Sequence, residues 1–240
     1  MRDIYWIFKR DIRIFYRSAG SYILYFLFLL VSSVWIYRID NFLVRDRADF
    51  VDYFAVIPYI LAVVIPAMTM GVWAEEKNRG TYELLLTQGI AVSRIAAGKF
   101  AAVFVQTLVM IVLTFPVPLS LKSLGSFDSG RIAVQYAGII LFSSSLQSLG
   151  LFVSVWYRKQ IYSYILTMLI LFVLVIPWAV LKGTASGGIG AGILRGISPW
   201  YHLSGFSKGI IDSRDLFYYL ITTFLFLFLS VGKIRMEKWA

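Results

Sequence analysis

Cysteine is absent from the 240 residues, and histidine occurs once, at His202. The first absence excludes a disulfide scaffold, a thiolate metal site and a cysteine nucleophile. The second leaves no companion ligands for a zinc centre, and no metal site is expected. Charge is scarce as well: 15% of the residues are Asp, Glu, Lys or Arg, where a soluble domain carries about 25%. A phosphate-binding loop is missing, since the nearest string, Gly98-Lys99-Phe100, lacks both the following hydroxyl and the upstream glycine. The chain is therefore expected to hydrolyse no nucleotide by itself. No serine sits in a Gly-x-Ser-x-Gly elbow, and no acid–base pair recommends a membrane-embedded enzyme.

What fills the sequence is apolar: 59% of the residues are hydrophobic, 17% are aromatic and the mean hydropathy is +0.76. Six stretches carry no charge at all, at 18–37, 53–74, 100–121, 132–157, 160–181 and 216–232. A helix needs about 20 apolar residues to cross a bilayer, so each run qualifies, the last by the smallest margin. The expectation is an all-α integral membrane protein with six transmembrane helices, at about 19–37, 53–74, 100–121, 132–157, 160–181 and 216–232, and with no Asp, Glu, Lys or Arg inside any of them. The formal charge of +10 then points to anionic lipid headgroups and not to nucleic acid. Six spans place both termini on one side, which collects fourteen Lys and Arg against nine on the other, so the positive-inside rule makes both termini cytoplasmic. The first run leads into Trp35, Tyr37 and Arg38 without a small-residue cleavage site, which argues against a removed signal peptide.

Those seventeen residues have helical periodicity: Ile4, Tyr5, Phe8, Ile12, Phe15 and Tyr16 alternate with Arg2, Lys9, Arg10, Arg13 and Arg17. They describe a helix lying in the membrane interface, either an elbow that serves a cytoplasmic partner or a plain topogenic anchor. Pro58 and Pro66 fall inside the second span and Pro116 with Pro118 close the third. In the fourth span Ser143, Gln147, Gly150 and Ser154 share one face, as in close helix packing or a subunit interface. The outer region from 182 to 215 opens with a glycine-rich run at 183–192 that has no dinucleotide-binding spacing. It ends at Trp200, Tyr201 and His202, expected at headgroup level.

The most informative segment joins the second and third spans. A helix leaves the bilayer into Glu75, Glu76, Lys77 and Arg79, breaks at Gly80, and continues through Thr81 and Glu83 into Leu84, Leu85 and Leu86. An apolar ridge of three leucines bordered by Glu83, with Arg79 one turn before it to pair at i, i+4 spacing, suits insertion into a partner's groove. An amphipathic loop lying on the headgroups is the other reading.

Pro66-Ala67-Met68-Thr69-Met70, then Ala74-Glu75-Glu76-Lys77, Arg79-Gly80-Thr81, Glu83-Leu84-Leu85-Leu86-Thr87 and Gly98-Lys99-Phe100 closely resemble the ABC-2 type transporter permease family. Leu149-Gly150-Leu151-Phe152-Val153-Ser154 and the stretch from Phe206 to Asp215 extend the likeness, which looks like the branch of gliding-motility-associated permeases. Two positions depart from it: Gly89, where the family often has proline, and Arg94, where it has an acidic or polar residue.

The resemblance implies a single six-helix ABC-2 exporter (type V) domain over 1–240, with an N-terminal elbow helix, in the bacterial cytoplasmic (inner) membrane. It implies a permease subunit that pairs with a second permease, a copy of itself or a related subunit, and with a cytoplasmic ABC ATPase dimer, which binds ATP and magnesium while the permease binds no cofactor. Carried over by position, the ATPase contacts are Glu75, Glu76, Arg79, Gly80, Thr81, Glu83, Leu84, Leu85 and Leu86. From the apolar ridge itself, Leu85→Asp is expected to detach the ATPase or to uncouple its hydrolysis. An auxiliary membrane protein with an extracytoplasmic domain is a further implied partner. The implied function is ATP-driven export. The alternative is force transmission, in which the same helices move an extracytoplasmic partner without passing a substrate.

Overall fold

A computed structural model describes residues 2–35, 51–121, 128–182 and 196–239. The expected first outer loop and the glycine-rich run at 183–192 lie outside them. The described residues form helices and no strands, in the order α1 (Arg2–Arg17), α2 (Ala19–Val34), α3 (Val51–Thr69), α4 (Gly71–Asn78), α5 (Thr81–Thr87), α6 (Val92–Val112), α7 (Pro116–Leu121), α8 (Ser129–Trp156), α9 (Gln160–Lys182), α10 (Pro199–Ser207) and α11 (Ser213–Trp239).

Four helical stretches are long and apolar enough to cross a membrane: Tyr53–Asn78, Val92–Ser120, Ser129–Trp156 and Ser213–Lys238. The pair α1 and α2, bent by 75°, makes a fifth if counted as one span. The outward faces of α2, α9 and α11 carry Phe26, Leu30, Ile165, Leu169, Phe172, Phe224 and Phe228, all exposed. So much apolar surface is tolerable only against lipid or protein, and the chain is built as a multi-pass membrane protein.

α8 is the hub. In its most apolar window 78% of the residues are buried, against 22% for α11, and α3, α4, α6, α9, α10 and α11 all pack on it. Serine and glycine make this possible, because small side chains let helix backbones approach. Ser143, Ser144, Ser145 and Ser148 are buried, and each hydroxyl donates to a carbonyl three residues earlier, so none needs a partner from another helix.

The helices extend past the charge-free runs. α6 begins at Val92, eight residues before its run, and α11 continues to Trp239, seven beyond its own. Lys99 therefore lies inside a membrane-span candidate, correcting the expectation of charge-free spans. α3 runs through Pro58 and Pro66 as continuous helix and stops at Thr69. At the far end, Trp200 is buried against Phe142, with ring centroids 4.9 Å apart, and so packs as a core residue. His202 Nδ1 lies 2.7 Å from Asp215 Oδ1 and its ring stacks on Tyr218, which ties α10 to α11.

Candidate functional site

The charged end of the bundle gathers α1, α4, α5, the start of α6, the end of α8 and the end of α11. Its geometry begins at the break between α3 and α4. A helix that restarts has N–H groups with no partner in its own first turn. Here Ser154 of α8 supplies one: its Oγ accepts from the backbone N–H of Trp73 and of Ala74, both at 3.2 Å, and donates to the Met70 carbonyl at 3.0 Å. One hydroxyl thus caps α4 from a neighbouring helix. Four residues earlier, Gly150 packs against Thr69, where a Cβ would come within 2.3 Å of Thr69 Oγ1. Ser143, Gln147, Gly150 and Ser154 are all buried within the chain.

Gly80 turns the chain with a positive φ of 71° and ends the helical run. Arg79 and Glu83 therefore do not share a helix, and the expected pair between them does not form. Arg79 pairs instead with Glu75, one turn back on α4. Beyond the turn α5 shows helical amphipathicity: Tyr82, Leu85 and Leu86 are buried, while Thr81, Glu83 and Leu84 are exposed. The expected ridge of three leucines is thus a single exposed leucine, Leu84, 64% accessible, beside two that belong to a core. That core contains Ile7, Trp73, Tyr82, Leu85, Leu86, Val92, Ile95, Ala96, Leu151, Val155 and Ile234. Spacing explains the split, since three consecutive residues on a helix cannot all face one way.

Two ion clusters fasten this core. Lys99, 2% exposed, directs its ammonium at Glu76 Oε1 (2.8 Å), the Val72 carbonyl (2.9 Å) and Asp11 Oδ2 (3.4 Å), over the Trp73 ring at 4.8 Å. Three acceptors match its three donors, which is the condition for a buried ammonium to be tolerated. Arg10 adds a 2.6 Å bond to the same Glu76 oxygen and one of 2.8 Å to Asp11. Burial alone would lower the pKa of Arg10, but the two carboxylates outweigh it and leave the guanidinium held more firmly in its charged form. Helix α1 can reach this cluster because Gly98 has no side chain: a Cβ there would meet Ile7 at 3.0 Å.

The second cluster centres on Glu237 of α11. It accepts from Lys77 at 2.7 Å and from the Tyr82 hydroxyl at 2.9 Å, and pairs with Lys233 at 3.4 Å. Lys77 also donates to the Val155 carbonyl. Burial and the hydrogen bond to Glu237 keep the Tyr82 hydroxyl protonated as a donor. Both chain ends therefore lie at one end of the bundle, α1 on Arg94, Glu76 and Lys99, α11 on Lys77 and Tyr82. Beside the second cluster opens a cleft of about 770 Å³, lined by α4, α5, the α8–α9 turn and the end of α11.

Comparison with family models and with curated proteins found no match to this chain.

Of the expected contact residues, Arg79, Gly80, Thr81, Glu83 and Leu84 form one exposed surface, Glu75 and Glu76 are half-buried, and Leu85 and Leu86 are internal. Glu76 serves the Lys99 cluster. Sequence reasoning missed Lys99, Asp11, Glu237 and the capping role of Ser154. A lone lysine bordering an uncharged run signalled Lys99, but its partners lie 88 and 23 positions away and only folding joins them. Among the described residues no three His, Cys, Asp or Glu side chains gather as a metal site.

Proposed function

We propose that the chain is a six-span permease subunit of an ABC-2 type transporter, which couples ATP hydrolysis by a partner ATPase to export across a bacterial cytoplasmic membrane. The observation that carries this reading is the mounting of α5. It follows the Tyr53–Asn78 membrane helix, whose hydrogen-bond ladder is interrupted at Met70, presents Leu84, Glu83 and Thr81 outward, and is tied through Glu76, Lys99 and Asp11 to α1 and α6. A push on its outer face is thereby passed to three elements of the bundle at once. Buried ion clusters and close-packed helices have discrete arrangements, so a displacement travels as a shift between states and does not dissipate in side-chain motion. The chain faces a cytoplasmic ATPase dimer with its charged end and pairs with a second permease copy in the membrane.

The docking surface in this proposal is the exposed face of α5, not the whole leucine run. Leu84→Asp tests it, because the side chain is exposed and its loss leaves the core intact. Purification of the wild-type chain from its native membrane should bring with it an ATP-hydrolysing subunit, and the L84D chain should lose that activity while keeping its own melting temperature. An undiminished ATPase yield with L84D, or no ATP hydrolysis with the wild-type chain, overturns the proposal.

A further inference from the structure

The cleft at the charged end carries cations that the coupling reading does not use. Its lining includes Lys77, Arg158 and Lys238 against Glu83 and Glu237, with Trp156 on one wall. Lys77 and Glu237 neutralise one another at 2.7 Å. Arg158 and Lys238 have no carboxylate partner among the described residues, and both are exposed. Two free cations therefore face one cleft across the ends of two different helices.

The cleft also sits where a membrane surface would meet the bundle. Arg158 lies in the turn between α8 and α9, one residue after α8's C-terminal cap. Trp156 is 56% exposed and lies under the Lys233 ammonium at 4.4 Å, and Lys159 reaches over the Tyr162 ring at 5.9 Å. Exposed Trp and Tyr side chains beside Lys and Arg mark the headgroup level. From the rim, Ile161, Ile165, Leu169 and Phe172 run up α9 at helical spacing, all exposed. An apolar strip that begins at a pair of free cations matches one ligand chemistry: a phosphate with hydrocarbon chains attached.

We infer that this cleft binds the headgroup of an anionic phospholipid from the adjoining leaflet, with Arg158 and Lys238 on the phosphate and the acyl chains along α9. A soluble phosphate would leave the strip unused, and an acidic peptide would have no use for its reach into the bilayer. The inference does not depend on the docking of an ATPase, and the experiment uses the isolated chain.

The full chain, purified in a nonionic detergent and stripped of lipid, would be titrated with phosphatidylglycerol and separately with phosphatidylcholine, with bound lipid counted by native mass spectrometry. The wild-type chain should retain phosphatidylglycerol in preference to phosphatidylcholine. Arg158→Gln with Lys238→Gln should weaken phosphatidylglycerol binding roughly thirtyfold, from the attraction of two cations near a membrane surface. Arg13→Gln with Arg17→Gln removes the same charge from α1 and should leave binding within about twofold of wild type, since neither residue lines the cleft. Glu83→Gln, which removes the opposing charge in the cleft, should tighten binding, and it tests the site even if the double variant folds poorly. Equal loss in both double variants would mean diffuse surface attraction and overturn the site. Equal retention of phosphatidylcholine would overturn it, as would competition by glycerol 3-phosphate or an acidic peptide at the lipid's own concentration.

Discussion

Lys99 is the side chain on which the charged end depends most. Its ammonium stands between two carboxylates and a carbonyl with almost no access to solvent. Removing one member of a buried pair leaves the others desolvated and unmatched, a loss of about 3–5 kcal/mol. Lys99→Met keeps the length of the side chain and deletes the charge, so it should lower the melting temperature far more than Arg94→Met, which removes an exposed pair with Asp3. Equal effects of the two substitutions would deny the cluster its structural role.

At the scale of elements, α5 separates a docking face from a packing face within seven residues. Leu85 is inside the core with Trp73 and Ile95. Leu85→Ala should cost about 2–5 kcal/mol of stability, as for a leucine removed from a packed interior, whereas Leu84→Ala should cost almost nothing. Thermal unfolding of the two variants separates them, and similar values would show that α5 is not seated as described. The contact of α8 with α3 makes a parallel test. Gly150→Ala places a methyl group against Thr69 and should destabilise by about 1–3 kcal/mol, as other overpacked sites do. Gly232→Ala, on α11 with nothing within 4 Å, should be neutral or stabilising because alanine favours helix. If both behave alike, the close approach of α8 and α3 is not a constraint.

For the whole molecule, the absence of cysteine gives a direct test of orientation. Single cysteines at Lys238 and at Ser213, the two ends of α11, can be labelled with a membrane-impermeant maleimide in intact cells. If the charged end faces the cytoplasm, Ser213→Cys reacts and Lys238→Cys reacts only after the membrane is opened. The opposite pattern would invert the topology that the fourteen and nine basic residues predict.

The membrane character of the chain was legible from composition, because a run of some 20 uncharged residues has few other uses and hydropathy is a local property. The interruption at Gly80 was legible too, in a glycine between a charged helix end and a new apolar segment. The helix ends were not: charge marked where the uncharged runs stop, while backbone hydrogen bonding carries α6 and α11 several residues past those marks. The leucine run read as a ridge because sequence gives adjacency without direction, and only the placement of α5 against Trp73 and Val92 decided that Leu85 and Leu86 turn inward. Long-range pairs were invisible for the same reason. Asp11, Glu76 and Lys99 are each ordinary charged residues near a membrane helix, and Ser154 is an ordinary small residue on a packing face. Their roles come from distance in space, which the tertiary structure sets by bringing α1 onto Gly98 and the break at Met70 onto α8.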